Sequence, residues 1–307
     1  MVAGLPRSGT TWTAAVLGQA EGTVTVHEPD NEKLWAPALW AKADLGRFPA
    51  LGAGDRHPRY QRLWFWALGG APLVGPARLG QAVLARAGDP EREAQAWGRW
   101  SARLRLARAL GRPPLPVLLR SRVVAKSVHC PLSLDWLAAR FDLDVVVVLR
   151  HPLSVLASWL ELGLADGDRH LELTGGVRRR YLEPWALPLP GVDPVERRAW
   201  QAGLLTFALE ASAAARGWTV VHHEDLAADP LAAFRGLFGR LGLNWGPQVE
   251  VFLRAGQAPG SGYQLRRSPQ QLAAGWKGRL SPAQLEAARF VLEGFPLRRW
   301  ELSGVGR

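Results

Sequence analysis

Apolar and polar positions alternate between two periods along this chain. Met1 to Leu5 is a short apolar run, Pro-Arg-Ser-Gly-Thr-Thr follows, and Trp12, Val16 and Ala20 then fall on one helical stripe with Thr13 beside Leu17. The order reads strand, loop, helix. Thr23 to His27 predicts a second short strand, ended by the turn chemistry of Glu28-Pro29-Asp30-Asn31. Val145 to Leu149 is a continuous, largely β-branched run, the pattern of a central parallel strand buried on both faces. Helical patterns flank it at Pro131 to Arg140 and Leu153 to Glu161. Trp200, Leu204, Phe207, Ala208 and Ala211 mark a further amphipathic helix, and Trp218 to His222 reads as a strand. Asp229-Pro230 opens another helix with a cap residue and a proline at the first position, and Ser281-Pro282 opens one near the end. Alternating strands and helices predict an α/β fold with a parallel sheet.

Residues 44–116 break this alternation. The stretch is rich in Gly, Pro, Trp and Arg, with helix-period segments at Arg59 to Leu68 and Glu91 to Leu110, and is expected to be a helical insertion covering the substrate. No internal repeat and no linker divides the sequence, so 1–307 is expected to form a single domain.

At 48% hydrophobic and 21% charged residues, the 307-residue chain carries enough apolar material for a sizeable core, which excludes a disordered tail protein. Lys and Arg total 38 against 27 acids, a net charge of +11, and this asks for an anionic partner: phosphate, sulfate, nucleic acid or a lipid surface. Lysine occurs at only four positions, 33, 42, 126 and 277, which draws attention to those four. The single cysteine, Cys130, cannot form an internal disulfide or supply a thiolate cluster for zinc, and no metal is expected. No stretch approaches the roughly 20 apolar residues of a spanning helix, and the first residues lack the apolar run of a secretory signal, so a cytoplasmic location is expected.

The strongest chemical signal is Gly4-Leu-Pro-Arg-Ser-Gly9-Thr10-Thr11, set between the first strand and the first helix. Glycine permits the tight turn there, and successive backbone N–H groups can converge on an anion at the positive end of the helix. In the nucleoside-triphosphate loop GxxxxGK[ST] a lysine stands where this chain has Thr10, which argues against an ordinary ATPase or GTPase. The positive charge has moved back to Arg7.

PRSGTTW resembles the 5′-phosphosulfate loop of sulfotransferases that use 3′-phosphoadenosine 5′-phosphosulfate (PAPS), and the resemblance implies that Arg7, Ser8, Gly9, Thr10, Thr11 and Trp12 bind that co-substrate. In that family an arginine at a strand end and a serine eight residues later hold the 3′-phosphate. Here the Val145 to Leu149 run delivers Arg150, and Ser158 lies at that distance. An arginine fork and an adjoining hydroxyl suit a phosphate group physically. VHHEDLAADP at 221–230 is similar to the family's strand-end segment whose aromatic residue lies against adenine, with His223 in that place. Trp276-Lys277-Gly278-Arg279 is similar to the C-terminal segment that covers the nucleotide, and Lys126 sits where related enzymes place a lysine near the transferring group. The likeness spans 1–40 and 120–300, leaves 44–116 uncovered, and implies a P-loop NTPase-like central parallel sheet flanked by helices.

Sulfuryl transfer to a hydroxyl or amine yields PAP and depends on positioning and on stabilising dispersed negative charge. Arg7, Lys126 and the N–H groups of residues 8–11 are the candidates for that stabilisation. An alcohol nucleophile also needs a base. Glu28, in VHEPDN, resembles the catalytic glutamate of carbohydrate, tyrosyl and many bacterial sulfotransferases. His129, in KSVHCP, resembles the histidine of the small-phenol and steroid enzymes, displaced by one residue. His27 is a third candidate, expected to point to the opposite face of its strand. The expected acceptor is a small-molecule, carbohydrate or lipid hydroxyl, not nucleic acid, with Trp64, Trp66 and Trp185 as candidate stacking surfaces. Two other readings stand beside this one. The first is a nucleotide kinase with a degenerate loop. The second is a basic nucleic-acid or membrane-surface protein, suggested by Trp64-Phe65-Trp66 and by Trp97, Trp100, Arg103 and Arg105.

Overall fold

A computed structural model describes residues 1–69, 122–164, 171–257 and 276–300. The predicted helix at Glu91 to Leu110, the aromatics Trp97 and Trp100, and most of the 44–116 insertion lie outside the described residues. Among the described residues five strands, β1 (Val2–Gly4), β2 (Thr23–His27), β3 (Arg122–Ser127), β4 (Val146–Leu149) and β5 (Thr219–His222), form one sheet in the order β2-β3-β1-β4-β5, and the pairs β1·β4, β2·β3 and β4·β5 are each parallel. The α/β class expected from the alternating pattern is therefore the observed one. By internal contacts the chain falls into two compact units, one built on 22–143 and the other on 2–21 with 144 onward.

In the unit built on 22–143, β2 (Thr23–His27) and β3 (Arg122–Ser127) pair from Thr23↔Arg122 to His27↔Lys126. Among the described residues two helices lie between them in sequence, α2 (Ala36–Ala41) and α3 (Pro58–Leu68), each with a proline in its first turn, where the missing N–H costs nothing. A short 3₁₀ turn, Pro131–Ser133, leads into α4 (Leu134–Ala138). Within the described part of the insertion, α3 is built into the core: Tyr60, Leu63, Trp64 and Trp66 are each at most 2% exposed. Trp64 and Trp66 are thus packing residues and not a stacking surface, because they sit on the buried stripe of α3 while Phe65 faces out.

The other unit holds β1 (Val2–Gly4), α1 (Thr10–Leu17), β4 (Val146–Leu149), α5 (Pro152–Glu161), α6 (Pro194–Arg216), β5 (Thr219–His222), α7 (His223–Ala228), α8 (Pro230–Arg240), α9 (Pro247–Gln257) and α10 (Pro282–Leu292). β4 lies between β1 and β5, in register Val2↔Val146 and Val146↔Thr219. All four of its residues are buried, as an unbroken apolar strand must be. Side chains cap the helices where the sequence places them. Asp193 accepts from the N–H groups of Val195 and Glu196, Asp229 accepts from Ala232, and Ser281 forms a reciprocal capping box with Gln284. α6 packs along α5 and α10. Among the described residues no helix is long and apolar enough to cross a membrane.

Candidate active site

The loop between β1 and α1 is held by contacts within its own unit. Gly4 lies so close to β4 that a Cβ there would stand 2.5 Å from the Val148 carbonyl oxygen and 2.6 Å from Ser8 Oγ, so only glycine fits. Gly9, with φ 98°, turns the chain into α1, and Nδ1 of His223 occupies the space its Cβ would need. Thr10, Thr11 and Trp12 form the first turn of α1, whose N–H groups have no carbonyl one turn earlier. Thr11 is exposed there and Thr10 is buried against Gly4. Ser8 departs from the expected arrangement: both its N–H (3.1 Å) and its hydroxyl (2.8 Å) donate to the Leu5 carbonyl, so it closes the turn and does not offer those donors outward.

The β4–α5 segment grips the same loop. Trp159 Nε1 donates to the Pro6 carbonyl at 3.0 Å, Arg150 Nη1 donates to the Arg7 carbonyl at 3.0 Å, and Arg7 Nε donates to Ser158 Oγ at 2.9 Å. Arg7 is exposed and has φ 71°, a left-handed conformation costly for a side-chain-bearing residue. Thus Arg7, from the loop motif, meets Arg150 and Ser158, the pair from the strand-end motif. The next residue, His151, donates its N–H to Glu224 Oε1 (3.0 Å), and its ring packs on Trp276 (5.2 Å) and Trp300 (5.1 Å). Trp276 is buried on this stack, with Lys277 and Gly278 exposed after it. The Arg279 guanidinium grips both oxygens of Glu161 at the end of α5.

Three histidines in this unit are held neutral. Burial, then the charges of Lys277, Arg150 and Arg289, brings His151 down to about 4. Burial and Arg299 bring His222 to about 4, and burial with Arg150 brings His223 to about 3. His223 meets Trp12 edge-on, with ring centroids 5.9 Å apart.

The other candidates stand at the ends of β2 and β3. Lys126 is almost fully buried, and its ammonium donates to Glu28 Oε1, while Asn31 Nδ2 donates to Glu28 Oε2 at 2.5 Å. Burial pushes the Glu28 carboxyl up, but the charge and hydrogen bond of Lys126, with the Asn31 amide, outweigh it and leave the group below its ordinary range. Glu28 also has a left-handed backbone, φ 44°. That break in the strand overturns the expectation for His27: its Nε2 lies 3.9 Å from Glu28 Oε1, because strand alternation stops at His27.

His129 sits elsewhere in the same unit, 2% exposed, among Lys42 Nζ (3.2 Å), the Asp30 carbonyl (3.4 Å), Glu32 Oε2 (3.4 Å) and Arg47 Nε (3.5 Å). Lys42, wholly buried, donates to Glu32 at 2.6 Å. Burial raises the Glu32 carboxyl, yet Lys42, His129 and Arg47 together hold it well below its usual range.

Sequence reasoning passed over Asp30, Ser127, Asn31 and Glu224. Asp30 and Asn31 read only as turn residues, and Ser127 only as the neighbour of Lys126. Glu224 lies in the VHHEDLAADP segment, is half-buried with its carboxyl pushed up by desolvation, and keeps one oxygen without a hydrogen-bond partner among the described residues.

No protein-family profile and no curated protein matches this sequence. Solved structures that share an overall likeness include two sulfotransferases. The sulfotransferase domain from the curacin biosynthetic pathway is 15% identical, with 96% of this chain and 97% of that one covered at a TM-score of 0.46. The sulfotransferase STF9 from Mycobacterium avium is 13% identical, covering 96% of this chain and 76% of that one at a TM-score of 0.41.

Proposed function

We propose that this chain, acting over 1–307 as one catalytic domain, transfers a sulfuryl group from PAPS to a hydroxyl or amine acceptor and releases PAP. The observation that carries the reading is the meeting of Arg7 with Ser158 and Arg150 at 2.9 and 3.0 Å, since these residues come from the two motifs that resemble the sulfotransferase donor site. In this reading the first-turn N–H groups of Thr10, Thr11 and Trp12 bind the 5′-phosphate, and Arg150 with Ser158 takes the 3′-phosphate. His223, Trp276, Lys277 and Gly278 complete the nucleotide site. The bond between sulfur and the 5′-phosphate oxygen breaks as the acceptor oxygen or nitrogen bonds to sulfur. Glu28 accepts the acceptor's proton, and Lys126 and Arg7 balance the charge of the transferring group. No metal takes part. The acceptor is a small molecule, carbohydrate or lipid, and the protein works in the cytoplasm.

A kinase would need a metal-binding acid at a strand end, and β4 instead delivers Arg150. The basic-surface reading loses Trp64 and Trp66 to the core. Calorimetric titration with PAP, AMP, ATP and adenosine 5′-phosphosulfate tests the proposal. PAP is expected to bind most tightly, and equal affinity for PAP and AMP would overturn it.

A further inference from the structure

The pairing of Glu28 with Lys126 is not self-supporting. Glu28 holds a left-handed backbone, a conformation unfavourable for a residue with a side chain. Such a conformation persists only where surrounding contacts over-determine it. The β2·β3 register ends at His27↔Lys126, and one further backbone bond follows, from the Glu28 N–H to the Lys126 carbonyl at 2.7 Å. Beyond that point the two chains are joined by side chains. Ser127 Oγ lies 2.7 and 2.9 Å from the two oxygens of Asp30, which is wholly buried. The same Ser127 oxygen accepts the N–H groups of His129 (3.0 Å) and Cys130 (3.2 Å). With its lone pairs taken, the hydroxyl's single proton goes to the Asp30 carboxylate. Tyr60, reaching from α3, donates to Asp30 Oδ2 at 3.1 Å.

We infer that Asp30 and Ser127, braced by Tyr60, are positioning residues that hold the Glu28 carboxylate on the Lys126 ammonium. The role rests on the reading of Glu28 as the base. Lys126 and Ser127 are adjacent on β3, and Glu28 and Asp30 flank one proline. Fixing 30 to 127 therefore fixes 28 against 126, two residues back on one chain and one on the other. Without the clamp the lysine regains rotamer freedom and the strained backbone at Glu28 relaxes. Burial of Glu28, which acts upward, is then opposed less strongly, with the Asn31 amide and His129 left to counter it. The charged and titratable groups facing Glu28 are Lys126, His27 and His129.

The test is a carbon-13 NMR titration of the glutamate side-chain carboxyls in the full chain, with the Glu28 signal assigned by its loss in Glu28→Gln. Its midpoint is expected below the ordinary glutamate range in the wild type. In Ser127→Ala it should rise by about one pH unit, Ser127→Thr should restore it, and in a Lys126→Met background Ser127→Ala should no longer move it. An unmoved midpoint in a folded Ser127→Ala protein, or an equal rise with and without Lys126, overturns the inference. Should Ser127→Ala not fold, Tyr60→Phe is read the same way: a smaller rise supports the clamp and none overturns it. The titration needs no nucleotide, so its failure is separate from failure of the PAP and AMP comparison.

Discussion

The Nε of Arg7 donates to the hydroxyl of Ser158 at 2.9 Å, across 151 residues of sequence. The backbone is strained on one side of this bond, at Arg7, and helical on the other, at the buried face of α5. Arg150 Nη1 holds the carbonyl of the same Arg7, so the loop cannot relax without breaking contacts to two residues of the β4–α5 segment.

Arg150→Ala is therefore expected to weaken PAP by about tenfold or more, the loss of one or two charge-assisted bonds. AMP, which lacks the 3′-phosphate, should lose less. Ser158→Ala should act in the same direction with a smaller effect. Isothermal calorimetry with both nucleotides reads the difference, and an Arg150→Ala protein that still prefers PAP by the wild-type ratio contradicts the assignment.

Glu28→Gln keeps the size of the side chain but cannot accept a proton near neutral pH. Sulfuryl transfer should fall by about 10²-fold or more while PAP affinity holds. Because the wild-type carboxyl lies below its ordinary range, the wild-type acidic limb should fall below that range too, and it should vanish in the variant. His129→Asn is the matched comparison. His129 is enclosed by Lys42, Glu32 and Arg47, so its loss should lower thermal stability and leave the acidic limb in place. A dead His129→Asn beside an active Glu28→Gln reverses the roles.

Lys126→Met removes the charge that compensates a carboxylate 12% exposed. Leaving one member of a buried pair behind costs about 3 kcal/mol, which thermal denaturation at pH 7 should register. The penalty should shrink as pH falls and Glu28 takes up a proton. Turnover should drop while PAP affinity stays within a few-fold. A stability loss independent of pH would mean that the pair is not the source of the cost.

His151, His222 and His223 titrate in the folded chain near 4, 4 and 3, against an ordinary value near 6.5. Between these limits the unfolded chain binds protons that the folded chain refuses. Their contribution is complete above about pH 6.5 and is lost as pH falls towards 4 and then 3, by at most about 1.4 kcal/mol per pH unit for each. Melting temperature should fall steadily below pH 6.5, and His223→Gln should flatten that fall. A flat melting profile from pH 7 to 4.5 would refute the assignment.

What the sequence determined by itself was local. The glycine-bounded loop, the apolar run of β4, and the Asp229 and Ser281 caps are written in neighbouring residues, because turn preference, side-chain periodicity and capping act over a few positions. The candidate residues Arg7, Arg150, Ser158 and Glu28 were legible for the same reason, each standing in a short motif. Only the tertiary structure decided which polar groups meet. Asp30 read as a turn residue and proved to be a buried acceptor for Ser127 and Tyr60. Trp64 and Trp66 read as a possible surface and proved to be core. His27 read as facing away from Glu28 and lies beside it, since one left-handed residue ends the alternation. Partners such as Asp30 and Ser127 are 97 positions apart, and no periodicity in either segment encodes the other. Burial then fixes what such pairings are worth, because a charge removed from water needs its partner in a way that an exposed one does not.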